Sequence, residues 1–231
     1  MIRFNPRKAR GFSLMEMAVV LVIIAIILGA VTVGRDVYRS AVAERLGSEF
    51  VQGWLMAYDR YTAQVGAVPG DLLANPSGKI NNALNTPLCG SNLRKAMLTY
   101  GVSLPSGRAE GFESHAVYQD AEGLPQDLEV CFENLGDWAE PNANSSYATR
   151  SRNVMVLSNV TPELARQLDA RFDGRVDARF GRVRERNKHA DVTPLSGTPV
   201  ESPWSADDAD RVNAKLDGQV KTMTLLIRMN Q

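Results

Sequence analysis

The residue placed most unusually for chemistry is Glu16. It is the single charge within FSLMEMAVVLVIIAIILGAVTV, the run from Phe12 to Val33. A carboxylate in such a run costs on the order of 2.5–3.5 kcal/mol at mid-bilayer and less near the interface, so it calls for a cation. A cut between Gly11 and Phe12 would supply one as a new α-amino group, either one helical turn away on the same chain or on an axially staggered neighbour. Cys89 and Cys131 are the only thiols. They read as a disulfide outside a reducing compartment or as two buried thiols, and in the chain-entropy model a bridge would contribute on the order of 4 kcal/mol. Asp169, Asp173 and Asp177 recur every four residues. Aligned carboxylates suggest calcium, but Gly174 interrupts the helix and the spacing fits no EF-hand, so we read them as solvated charges paired with Arg166, Arg171, Arg175 and Arg179. His115 and His189 offer no zinc-ligand spacing with the cysteines. The sequence has no GxSxG elbow, phosphate loop, HExxH or Cys-His nucleophile pattern, so we expect neither an enzyme, a resident metal nor a cofactor.

These residues need elements to hold them. At about 1.5 Å per residue the run Phe12–Val33 reaches roughly 30 Å, the thickness of a bilayer hydrocarbon core. Arg3, Arg7, Lys8 and Arg10 precede it without an acidic residue, so the positive-inside rule keeps this basic end cytoplasmic and places everything after about Arg35 on the far side. Residues 35–65 contain no proline and continue the helix. Phe50, Val51, Trp54, Leu55, Tyr58, Tyr61 and Val65 form its core-facing stripe, while Tyr38, Val42 and Leu46 fall on another side, free for other chains. Gly66, then Pro69 and Gly70, stop the helix after roughly 80 Å.

Beyond it, residues 71–90 read as loop and Asn92–Tyr100 as a short helix. Strand character marks Ser114–Gln119, Leu128–Glu133, Asn153–Ser158 and Gln219–Met229. Thr161 and Pro162 open a helix to about Phe172. Residues 140–152 and 189–210 read as polar loops able to display binding residues. Trp138, Tyr147 and Trp204 lie in or beside them, as buried anchors or exposed contacts. Asn144 to Ser146 is a formal glycosylation sequon, and DARFDGRV from Asp169 with DARFGRV from Asp177 is a duplicated turn too short for a solenoid. The fold class is α+β: a long N-terminal helix packed on a small antiparallel sheet. We divide the chain into leader 1–11, membrane and assembly helix 12–34, amphipathic continuation 35–65 and head 66–231.

Composition bounds the function. With 44% hydrophobic and 23% charged residues the chain is an ordinary folded protein. Its 26 basic and 26 acidic residues cancel, which argues against a dedicated nucleic-acid binder.

The run RGFSLMEMAVVLVIIAIILGAV resembles the N-terminal signal of type IV pilins and type II secretion pseudopilins: a basic leader, Gly before the cut, Phe after it and Glu at the fifth position that follows. The resemblance covers residues 1 to about 65. It implies cleavage between Gly11 and Phe12 by a membrane-embedded prepilin peptidase, N-methylation of Phe12, and Glu16 as the carboxylate of assembly. It further implies other pilin subunits, an assembly ATPase and an inner-membrane platform protein as partners. The subunit would sit in the inner membrane with a periplasmic head and then enter a filament. A major pilin, a minor or tip pilin with an adhesive head, and a secretion pseudopilin all share the signal. Two features depart from the pilin pattern: the helix-breaking proline near residue 33 is missing, leaving Gly29 and Gly34 as weak points, and Cys89 with Cys131 closes a central loop instead of the C-terminal region. An ordinary secretory signal cut near Gly29 and Ala30, and a plain bitopic anchor, are the alternatives; Glu16 and the continuing helix speak against the secretory signal.

Overall fold

The computed structural model describes residues 12–143, 146–193, 201–212 and 218–230. The chain forms two compact units, Met1–Ala41 and Val42–Gln231. Residues Leu14–Val65 are helical, and this stretch is long and apolar enough to cross a membrane. In the first unit, α1 (Leu14–Arg45) starts at once after Ser13 and passes through Gly29 and Gly34 without a break. No proline interrupts it. Its large apolar side chains from Phe12 to Val37 are exposed, a surface that requires lipid or other helices to cover it.

In the second unit the end of α1 leads through a π-helical turn, Leu46–Val51, into α2 (Gln52–Val65), which Gly66 ends in the left-handed region at φ 76°. After a loop with a 3-10 turn at Ile80–Asn82 come β1 (Leu88–Cys89), α3 (Gly90–Thr99), β2 (His115–Gln119), β3 (Pro125–Pro141) and β4 (Tyr147–Val160). The chain closes with α4 (Pro162–Asp173), β5 (Val183–Glu185) and β6 (Met223–Arg228). The sheet runs β1-β3-β4-β6-β5, β2 also pairs with β3, and every pairing is antiparallel. The α+β arrangement expected from the sequence, a long helix followed by a small antiparallel sheet, is the one observed.

The core explains the apolar pattern. Phe50, Val51, Trp54, Tyr58 and Tyr61 pack with Leu128, Val130, Phe132, Met155, Leu157, Leu225 and Ile227 on one face of the sheet. Phe132 is the hub, meeting Trp54 and Tyr58 edge-on at centroid distances of 5.8 and 5.6 Å. On the opposite face Cys131, Leu135, Trp138, Val154, Val156 and Leu226 form a second cluster. Consecutive apolar residues such as Val154–Leu157 are therefore buried on both sides of the sheet, which is why they do not alternate.

Three expectations are corrected. Residues 140–141 and 147–152 are strand and not loop: β3 runs to Pro141 and β4 starts at Tyr147, and the two pair up to Pro141 with Tyr147, with a register shift between Leu135 and Trp138. Glu140 holds this outer part together, accepting from Arg152 Nε at 2.6 Å and Nη2 at 2.7 Å, and from Arg228 Nη1 of β6 at 2.9 Å. Arg152 and its neighbours hold the Glu140 carboxyl below the usual carboxylate range. Val42 and Leu46 are not free for other chains, since both belong to the head's own core, while Tyr38 is exposed. The π turn supplies the reason. It inserts one extra residue, which sets back the helical phase by roughly 100° and brings Val42 and Leu46 onto the side of Trp54 and Tyr58. Thr161 has the extended backbone of an N-cap, but its side chain makes no cap bond; its N–H donates to the Tyr118 hydroxyl at 2.8 Å.

Candidate functional site

The start of α1 is built by reciprocal bonds between backbone and side chains. Ser13 N–H donates to Glu16 Oε2 at 2.8 Å, and Glu16 N–H donates to Ser13 Oγ at 3.1 Å. Met17 N–H reaches Ser13 O at 3.2 Å, which makes Ser13 the N-cap and Glu16 the third helical residue. This is a capping box, with the carboxylate also placed where the helix dipole favours negative charge. Phe12 lies just before the helix, exposed, and lines a shallow apolar hollow together with Met15, Met17, Val19 and Val20. Of the sequence-derived residues, Glu16 lies in this first turn and Phe12 immediately before its cap; Gly11 and the rest of residues 1–11 lie outside the described residues. Ser13 was missed, although S-x-x-E ahead of an apolar run is the signal that identifies it.

Cys89 and Cys131 are bonded, with S–S 1.99 Å and Cα–Cα 4.4 Å, and stand directly opposite one another in the β1–β3 register. Glu129 lies beside them. Sulfurs joined to each other are not thiolate donors, so this group is not suited to hold a metal.

The reading of the three aspartates as solvated partners of nearby arginines is overturned. Asp169 and Asp177 are buried, at 0% and 6% exposure. Asp169 Oδ2 accepts the Asp177 N–H at 2.7 Å, and Asp173 Oδ2 accepts the N–H groups of Arg182 and Val183, each at 2.8 Å. Asp177 accepts from Arg179 N–H at 2.9 Å, Phe180 N–H at 3.1 Å and Ser202 N–H at 3.2 Å. Their work is to fold the connection between α4 and β5. Burial first, and then the neighbouring Asp173 and Asp177 charges, push the Asp169 carboxyl up to about 8. The arginines pair elsewhere: Arg166 with Asp208, Arg171 with Glu44, Arg175 with Glu201 and Arg179 with Asp191.

The histidines serve separate places. His115 faces Asp127 at 3.4 Å, and His189 Nε2 lies 3.0 Å from Asp137 while its Nδ1 meets the Arg186 carbonyl. Trp138 is fully buried with the Arg184 guanidinium 4.1 Å over its ring, and Tyr147 and Trp204 are half-buried. All three are anchors more than contacts. Asn144 and Ser145 of the sequon, and residues 194–200 of the second polar loop, lie outside the described residues.

No curated protein and no solved structure matches the chain. Residues 6–32 match the prokaryotic N-terminal methylation motif. That motif implies processing by prepilin peptidase and assembly with other pilin subunits, and it points to a structural protein. Over those residues the chain carries the signal of type IV pilins and pseudopilins.

Proposed function

We propose that the protein is a structural subunit of a type IV pilus-like filament. Prepilin peptidase cuts between Gly11 and Phe12 and the new Phe12 amine is methylated. An assembly ATPase and an inner-membrane platform protein then move the subunit from the inner-membrane lipid, where its head is periplasmic, into the polymer. Glu16 meets the Phe12 amine of a neighbouring copy, and the membrane-length helices exchange lipid for one another. Repeated head-to-tail contacts of this kind give open helical polymers. The observation that carries the reading is the conjunction of Gly11, Phe12 and Glu16 with a fully exposed apolar helix behind them. A second reading, a minor or tip pilin or a type II secretion pseudopilin, is favoured by the central position of the Cys89–Cys131 link, which leaves the last hundred residues unclosed.

The test is mass spectrometry of the membrane-extracted chain produced with prepilin peptidase. We expect a mature protein starting at N-methylated Phe12. Gly11→Leu should abolish the cut, and Glu16→Ala should be cut but not incorporated. A chain retaining residues 1–11, or one lacking the whole apolar run, would refute the reading.

A further inference from the structure

We propose, building on the filament reading above, that Ser13 is the positioning residue for Glu16. The reciprocal cap fixes where the helix begins and divides the carboxylate between two partners, Oε2 to its own chain and Oε1 to the Phe12 ammonium of a second copy. Only Oε2 is bonded to Ser13 N–H, and among the described residues Oε1 makes no hydrogen bond. The side chain is thus held in one orientation before a partner arrives, which removes part of the ordering cost of association.

The apolar setting gives this cap more weight than it would have in water. The first N–H groups of a helix have no intrahelical acceptor, and in hydrocarbon no water replaces it. The cap satisfies the N–H groups of Ser13 and Glu16, the first and last of those at this helix start. Phe12 and Met17 stand at the two positions of a hydrophobic staple, immediately before the cap and four residues beyond it, and they line the same hollow. The cap therefore leaves Phe12 outside the first turn, at the positive end of the helix dipole, where an ammonium gains most from an anion contributed by another chain. Threonine can replace Ser13 in such a cap, and glutamine can replace Glu16 there while losing the charge. This separates the two halves of the proposal.

The experiment uses the full chain produced in membranes with prepilin peptidase, as wild type, Ser13→Ala, Ser13→Thr, Glu16→Gln and Glu16→Ala. Amide hydrogen exchange at residues 13 and 16 reads the cap, terminal mass reads the cut, and recovery in sedimentable filaments reads assembly. Ser13→Ala should exchange about fivefold faster at the Glu16 amide, from a cap's ordinary stabilisation, and should lose incorporation although Glu16 is intact. Ser13→Thr should restore both. Glu16→Gln should keep the Ser13 amide protected and still fail to assemble, and Glu16→Ala should lose both. Unchanged exchange, or wild-type incorporation, in Ser13→Ala overturns the proposal. A wild-type chain that keeps residues 1–11 overturns the filament reading and with it the intersubunit half of this one, a result read independently of the exchange ratios.

Discussion

Asp169→Asn should change how the head's stability depends on pH. The Asp169 carboxyl is fully buried and pushed up to about 8, from an ordinary value near 3.8. Between those values the folded protein holds a proton that the unfolded chain has released. The associated stability is complete below about pH 4 and is lost progressively as pH rises towards 8, at up to about 1.4 kcal/mol per pH unit. From pH 5 to pH 7 this one group removes on the order of 3 kcal/mol. The carboxylates of Asp71, Glu113, Glu140 and Asp191 are shifted downward, so they titrate below this window. Asparagine keeps an oxygen for the Asp177 N–H and carries no charge at any pH. The assay is urea denaturation of the full chain in detergent, followed by tryptophan fluorescence at half-unit steps from pH 5 to pH 8.5. The difference between wild type and Asp169→Asn should open in favour of the variant as pH rises and level off above 8. Parallel curves across the range would show that Asp169 is already ionised at pH 5, which would refute the reasoning.

Two further outcomes concern the head. Reduction of the Cys89–Cys131 bond, or Cys89→Ser with Cys131→Ser, should cost about 2–4 kcal/mol in the same denaturation assay; an unchanged midpoint would mean that the unfolded chain is not restrained by it. Phe132→Ala removes the ring that touches both Trp54 and Tyr58 and should cost about 3–5 kcal/mol, with the loss visible as a lower melting temperature; a shift smaller than a surface substitution produces would deny Phe132 its central place.

The long helix and the apolar centres of β3, β4 and β6 were legible because their evidence is local: an unbroken apolar run, a stripe at helical spacing, and Gly66 at its end. What was not legible depends on partners distant in sequence. The outer strand ends, 140–141 and 147–152, look like loop because their residues are polar; only the meeting of Glu140 with Arg152 and with Arg228 of another strand shows why they remain extended. The aspartates were misread for the same reason. Their spacing suggested neighbouring arginines, whereas a connection folding back on α4 presents backbone N–H groups that no spacing rule announces. At the candidate site, Gly11, Phe12 and Glu16 stand out by residue type. Ser13 has the commonplace look of a helix cap until its bonds to Glu16 are seen.

The π turn at Leu46–Val51 bears on how this head tolerates change. Replacing Glu49, which lies towards solvent, leaves its ladder of backbone bonds intact. Removing one residue between Leu46 and Val51 would restore ordinary α-helical winding and rotate Val42 and Leu46 out of the interior. Here the constrained quantity is chain length, and the alphabet is comparatively free: relatives that differ by a single codon in this stretch should need compensating substitutions on the preceding turn to keep an oily surface facing inward.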